Sequence, residues 1–261
     1  MRRTSSISGH ETAMGALVPA RTESYSPIPH SYFLETITNE INNAGGLEVT
    51  GRRIYTNGRG TKLVGFTSVK HAGMETDPDF GLEMLLGYKN SYDKSMAAAL
   101  VAGINVMICG NGCIGGDMVT FKRKHTGNIA EELQEKTRQA ITSMRDGFVA
   151  LTLDIDIMRD YNVTDSQKAE IMGLMYFEED IVTPNQLSVI KKEMRESEHF
   201  RGDSLWDLYN NVTESLKSSH PLSHIESHIK LHDFMTDVAG IEHVDPNAPI
   251  EILPGGAGDP V

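Results

Sequence analysis

An α+β fold, with an antiparallel sheet and a basic hairpin packed against one long helix and an acidic helical subdomain after it, is what this 261-residue chain predicts. Three observations carry that reading. Residues 47–71 alternate apolar and polar side chains in two runs around Asn57-Gly58-Arg59-Gly60, and Asn-Gly is the strongest short-range hairpin signal. From about Gly127 the apolar period changes to helical and stays so for some thirty residues. Strands come first and helices follow, rather than alternating, which separates α+β from α/β.

The elements follow in order. Residues 1–27 read as a flexible leader, because MRRTSSISGHETAMGALVPARTESYSP has no continuous apolar stretch of signal-peptide length. SYFLETITNEINNAGG reads as a short helix, with Ser31 as its cap and Gly45-Gly46 just past its end. GLEMLLGYKNS, the apolar run Met96–Ile108 and DMVTFKRKHT supply further strands. The long helix places Ile129, Leu133, Thr137, Ile141 and Met144 on one stripe, after a cap at Asn128. Thr164-Asp165 and Pro184 open two more helices, SLWDLYNNVTESLKSSH forms another, and Pro221 breaks the chain before the last. The organisation expected is a leader at 1–27, an α+β core at 28–160, a helical subdomain at 161–239 and a loosely ordered tail at 240–261.

Charge is unevenly spread. The net charges of segments 1–46, 47–145 and 146–261 are -1, +3 and -14, which together make the overall -12. A slightly basic middle and a strongly acidic C-terminal half suggest two surfaces with different tasks. No stretch approaches the roughly 18 apolar residues of a membrane helix. Two cysteines, Cys109 and Cys113, make no disulfide framework, and a cytoplasmic location is expected.

Several stretches resemble the phage/plasmid-like family known as domain of unknown function 932. They are the lead-in ARTESYSPIPH, the block GYKNSYDKSMAAALVAGINVMICGNG, FKRKHTGN and LWDLYNNVTESLKSSHP. The resemblance spans residues 21 to 235 and implies phage, prophage or plasmid context without implying a reaction. Tyr92 stands where that family often has histidine in its Asn-Ser-x-Asp motif.

Candidate chemistry concentrates in three places. Basic strands with interleaved aromatics suit a groove that tracks a single-stranded phosphate backbone. The residues expected there are Arg52, Arg53, Arg59, Lys62, Lys122, Arg123, Lys124 and His125, with Asn90, Tyr92 and Lys94 forming a ligand-contacting loop. His220, His224, His228 and His232 recur every four residues, and such neighbours can chelate a metal. Each step of four drifts about 40° around the helix, so at most two neighbours share one ion, and His224 with His228 is the candidate divalent-metal pair. Cys109 and Cys113 could join two histidines in a zinc site, although glycines around them read as turn punctuation.

Non-catalytic single-strand binding in DNA metabolism, by a homo-oligomer, is the function expected. The order of elements loosely resembles that of phage single-strand annealing proteins, an analogy that does not by itself establish function. Two alternatives stand beside it. One is a metal-dependent hydrolase using His224, His228, Asp93 and His125. The other is a virion or host-defence-interaction protein that docks a protein partner through the acidic half.

Overall fold

A computed structural model describes residues 6–23, 25–71, 82–106, 111–114, 119–121 and 129–241. Their order is α1 (Ser6–Gly15), α2 (His30–Asn43), β1 (Leu47–Thr56), β2 (Lys62–His71), β3 (Leu82–Ser91), β4 (Ala98–Val106), β5 (Asn111–Ile114), β6 (Val119–Phe121), α3 (Ile129–Asp160), α4 (Asp165–Phe177), α5 (Pro184–Glu196), α6 (Leu205–Leu216) and α7 (His224–Ala239). A single 3-10 turn, Pro221–Ser223, precedes α7. The fold is α+β, as the change of period predicts.

All six strands join one antiparallel sheet in the order β1-β2-β3-β4, with β5 and β6 both paired to β4. Gly103 faces Ile114 and Leu100 faces Val119, so β5 and β6 both line the edge of β4. A bulge between Val49 and Gly51 interrupts β1. The hairpin is closed by Asn57, whose carboxamide accepts from Lys62 N at 3.1 Å and donates to Thr61 Oγ1 at 2.8 Å. The left-handed residue of this turn is Gly60, at φ +66°, and not Gly58.

Helices cover both faces of the sheet. On one face Leu63, Val69, Leu86, Tyr88, Leu100 and Ile104 pack with Phe33, Ile37 and Ile41 of α2 and with Leu133, Ile141 and Met144 of α3. On the other face Val64, Phe66, Leu85, Val101 and Ile114 pack with Ile225 of α7. Strand β3 is therefore buried at every position, Leu82 to Ser91, which explains its near-continuous apolar reading. Its Lys89, on the α7 face, is paired with Glu226 of α7. Sequence alone predicts one long covering helix. The second cover comes from α7, more than a hundred residues after the strands it covers.

The acidic helices start cleanly. Thr164, Thr183 and Ser204 each accept from the backbone N–H three residues on, and Gln167, Gln186 and Asp207 reciprocate, so α4, α5 and α6 all open on capping boxes. Helix α6 is buried almost all round and is the hub of this half, with Trp206 stacked on Tyr209 at 5.2 Å. Lys168, itself buried, donates to Asp203 Oδ1 at 2.8 Å and to Gly202 O. One apolar core runs without a break from the sheet through α3 into α4, α5 and α6, so the division at residue 160 is not a break in packing.

Two expectations need correction. Ser31 does not cap α2: the helix begins at His30 after Pro29, with no side-chain cap. Part of the stretch read as a flexible leader is α1, which packs on β1 with Ala13 buried. The signal is weak because the contact is made by a small residue. A Cβ on Gly9 would lie 2.1 Å from Ile54 O, so the helix approaches the strand backbone directly. The tail beyond Ile241, Asn128 and Cys109 lie outside the described residues.

Gly60 joins these parts, since a Cβ there would meet Thr12 O at 2.7 Å and Ala16 Cβ at 2.9 Å while φ stays positive. Gly60→Ala is expected to lower the unfolding free energy by about 2–4 kcal/mol, combining left-handed strain with the clash against α1. Urea denaturation of the full chain checks this; an unchanged midpoint would contradict it.

Candidate functional site

The stretch Asn90–Ser95 ends β3 and begins the turn toward β4, and Tyr25, Ile28 and His30 fold onto it. The His30 ring stacks on Tyr92, with centroids 4.0 Å apart and planes 10° from parallel. Asn90 Nδ2 donates to Ile28 O at 2.8 Å and contacts His30 Nδ1 at 3.1 Å. An amide nitrogen only donates, so His30 Nδ1 must accept and the ring proton sits on Nε2, which donates to Gly60 O at 3.0 Å. The His30 backbone N–H donates to the Tyr92 hydroxyl at 2.7 Å. Tyr92 thus satisfies a donor in the first turn of α2 that Pro29 leaves uncapped. Tyr25 completes the knot by donating from its hydroxyl to Tyr92 O at 3.1 Å.

Both ring nitrogens of His30 are engaged and the side chain is fully buried. Burial pushes its pKa down to about 4, against a smaller upward pull from the Gly60 carbonyl. It is neutral near pH 7, with no free nitrogen to act as base or ligand. Burial also pushes the Tyr92 hydroxyl up. Asn90 and Tyr92, expected to contact a ligand, instead face inward, because their polar atoms close a knot with a segment sixty residues away.

The basic residues divide into two groups. Adjacent strand positions point to opposite faces, so Arg52 and Arg53 cannot share a surface. Arg52 donates to Thr38 Oγ1 of α2 at 3.0 Å, and Arg53 lies 5.8 Å over the Phe66 ring and reaches Asn105 Oδ1 at 3.4 Å. Arg59, Lys62 and Lys94 lie together at one end of the sheet. The turns that carry them are joined by Tyr92 N donating to Thr61 O at 2.7 Å, and Lys62 pairs with Asp93 at 3.5 Å. Arg59 and Lys94 are exposed. Lys94 holds φ +64°, rare for a side-chain-bearing residue, with its ammonium 4.6 Å from the Tyr25 ring centroid. Phe121, the last described residue before the 122–125 run, pairs with Ala98 at this same end. Lys122, Arg123, Lys124 and His125 themselves lie outside the described residues.

The histidine ladder has mixed environments. His220 precedes the 3-10 turn, where its Nδ1 accepts from Leu222 N at 3.2 Å. His232 is buried against Asp154 Oδ2 of α3 at 3.2 Å. His224 and His228 are neighbours with ring centroids 6.3 Å apart, and His224 Nε2 is directed at Ser219 O, 3.3 Å away. Burial lowers the His224 pKa. Among the described residues no three His, Cys, Asp or Glu side chains are grouped to hold a metal ion, so this pair gains no third ligand there. Asp93, the acidic member of the hydrolase alternative, is engaged with Lys62 and with Ser95, whose hydroxyl donates to it at 2.6 Å.

The family comparison falls on these same parts. The chain belongs to the family described as Domain of unknown function (DUF932), whose model matches residues 19–235. No curated protein and no solved structure matches it. No helix among the described residues is long and apolar enough to cross a membrane. Two stretches that carry the resemblance, ARTESYSPIPH and GYKNSYDKSMAAALVAGINVMICGNG, supply Tyr25, Ile28 and His30 on one side of the knot and Asn90 and Tyr92 on the other. Tyr25 and His30 were not singled out by residue reading, and Gly60 only as part of the hairpin turn, since nothing local marks a contact so distant in sequence.

The knot has a defined acid response. A histidine whose folded pKa is depressed contributes stability above its unfolded value of 6.5 and loses it as pH falls toward about 4. Stability is expected to drop by about 2–3 kcal/mol between pH 7 and pH 4.5 through this group. Urea titrations should show a flatter pH profile for His30→Phe in that window, and identical profiles would contradict the assignment. Tyr92→Phe leaves the His30 N–H without its acceptor and should cost about 1–3 kcal/mol, whereas Tyr92→His, with a ring that both stacks and accepts, should cost less.

Proposed function

We propose that this is an accessory protein of phage- or plasmid-type DNA metabolism that binds single-stranded nucleic acid without catalysing a reaction. The binding end is that of the β1–β2 and β3–β4 turns. The observation that supports this most is convergence: Arg59, Lys62 and Lys94 sit on two hydrogen-bonded turns, and the chain enters the Lys122–Lys124 run from the same end. Cations gathered on adjoining turns suit the repeated charge of a phosphate backbone. A lysine kept in a left-handed conformation, at a cost of roughly 1–2 kcal/mol, is the kind of local strain that marks functional turns.

The contact expected is phosphate contact by Arg59, Lys94 and residues 122–124, with Lys62 partly neutralised by Asp93. Asn90 and Tyr92 drop out of the interface because they are buried in the knot, and Arg52 and Arg53 because they are half-exposed on opposite faces of the sheet and bonded to Thr38 and Asn105. Recognition is then indifferent to base sequence, since phosphates carry no sequence information. With a net charge of -12, attraction is local and steeply dependent on salt. On this reading the protein works in the cytoplasm as a homo-oligomer, with several copies along one strand.

Anisotropy of a labelled thirty-nucleotide oligothymidine, titrated with the full chain, tests this. Micromolar binding is expected at low salt, weakening by tenfold or more at 0.2 M. Arg59→Ala with Lys94→Ala should weaken it and reduce the log–log salt slope by about one per lost phosphate contact. Absence of saturable binding, or binding indifferent to salt and to these substitutions, would overturn it.

A further inference from the structure

The second half of α3 exposes large apolar side chains in line. Val149, Leu153 and Ile157 are 48%, 59% and 45% exposed, four residues apart. At 100° per residue they occupy an arc of about 80°. Asp146 and Asp160 fall inside the same arc, one at each end of the row, and Asp156 lies at its edge; all three are exposed. Asp156 is paired with Arg159 at 3.0 Å, while Asp146 and Asp160 make no ion pair among the described residues. The helix is anchored from behind, where Phe148, Leu151, Ile155 and Met158 are buried and Asp154 meets His232 of α7. The row is therefore presented on a rigid element and is not needed for the core.

We infer that this face docks a basic amphipathic helix of a partner protein, with apolar residues spaced i, i+4, i+8 and lysines or arginines flanking them. Arg145 is exposed beside Asp146 at i−4 from Val149, and Arg159 is paired with Asp156. The three aspartates still leave the face net negative, and that charge selects the occupant. Two copies paired antiparallel about Leu153 would oppose Asp146 to Asp160 twice, and a parallel pair would oppose each aspartate to itself. The chain's own C-terminal segment carries Glu242, Asp245, Glu251 and Asp259 and no Lys or Arg, so it is repelled as well. Nucleic acid and anionic lipid surfaces carry the same sign. A cationic helix with an apolar stripe matches both features, and it does so in the half of the chain whose net charge is -14. The row spans about 21 Å from Asp146 to Asp160, room for four turns of a partner helix. This inference is independent of strand binding at the sheet end.

The probe is a fluorescein-labelled twenty-one-residue peptide with leucines at i, i+4, i+8 and lysines beside them, titrated with the full chain. A scrambled peptide of equal composition and a glutamate-for-lysine version serve as controls. Micromolar binding of the first peptide is expected, at least tenfold weaker for both controls. Val149→Ser with Leu153→Ser and Ile157→Ser should reduce it by at least tenfold. Asp146→Asn with Asp160→Asn, which leaves the apolar row intact, should weaken it and flatten its salt dependence. Equal binding of the scrambled peptide would reduce the effect to general charge attraction and overturn the inference. So would unchanged binding in the serine variant, or sedimentation showing a dimer that Leu153→Ser dissolves, which would assign the face to a second copy.

Discussion

The stack of His30 on Tyr92 is the contact on which the arrangement of the N-terminal half depends. Through it the start of α2, the β1–β2 turn and the β3–β4 connection are held at one point, by atoms from residues 28, 30, 60, 90 and 92. Each partner answers a need of another. Pro29 leaves the first turn of α2 without a side-chain cap, and the Tyr92 hydroxyl accepts its N–H. The Gly60 carbonyl needs a donor, and a neutral imidazole supplies one while accepting from Asn90. Apolar burial would hold these segments close, but only directional bonds set the turns in one register against each other. The outward position of Lys94 next to Tyr25 follows from that register.

A second constraint is the covering of the sheet. A strand as apolar as β3 cannot leave either face in water, so the meander needs helices on both sides. Helices α2 and α3 supply one side. The other side is closed only when α7 returns from the far end of the chain, bringing Ile225 to Phe66 and Val101 and Glu226 to Lys89. The acidic half is thus tied to the sheet by the Lys89–Glu226 pair, while the Asp154–His232 pair holds α7 against α3. His228 and His232 are buried and His220 is exposed, a gradient expected of a helix that leaves solvent to enter a core.

Much of the architecture was legible because its signals are local. Alternation marked β1 and β2, an apolar run marked β3, the 3.6 period marked α3 to within two residues of its observed start, and Thr164-Asp165 and Pro184 marked the starts of α4 and α5. Helix α1 was missed because Gly9 and Ala13, which make its contact, are too small to mark an apolar helical period. The candidate site was legible only in part. Asn90, Tyr92 and Lys94 were expected to form a ligand-contacting loop, yet the placement of Asn90 and Tyr92 depends on His30 and Gly60, sixty and thirty residues before Asn90.

Composition and pattern by themselves determined the class of fold, the order of elements and the separation of a basic middle from an acidic C-terminal half. These depend on periodicity and side-chain type, which are properties of neighbouring residues. Only the tertiary structure decided which cations share a surface and which lie inside. Strand alternation put Arg52 and Arg53 on opposite faces, the meander brought Arg59, Lys62 and Lys94 to one end, and burial placed Tyr92 against His30 rather than in solvent. Those outcomes depend on pairing between distant segments, where burial and the directionality of hydrogen bonds act on groups that no local pattern brings together.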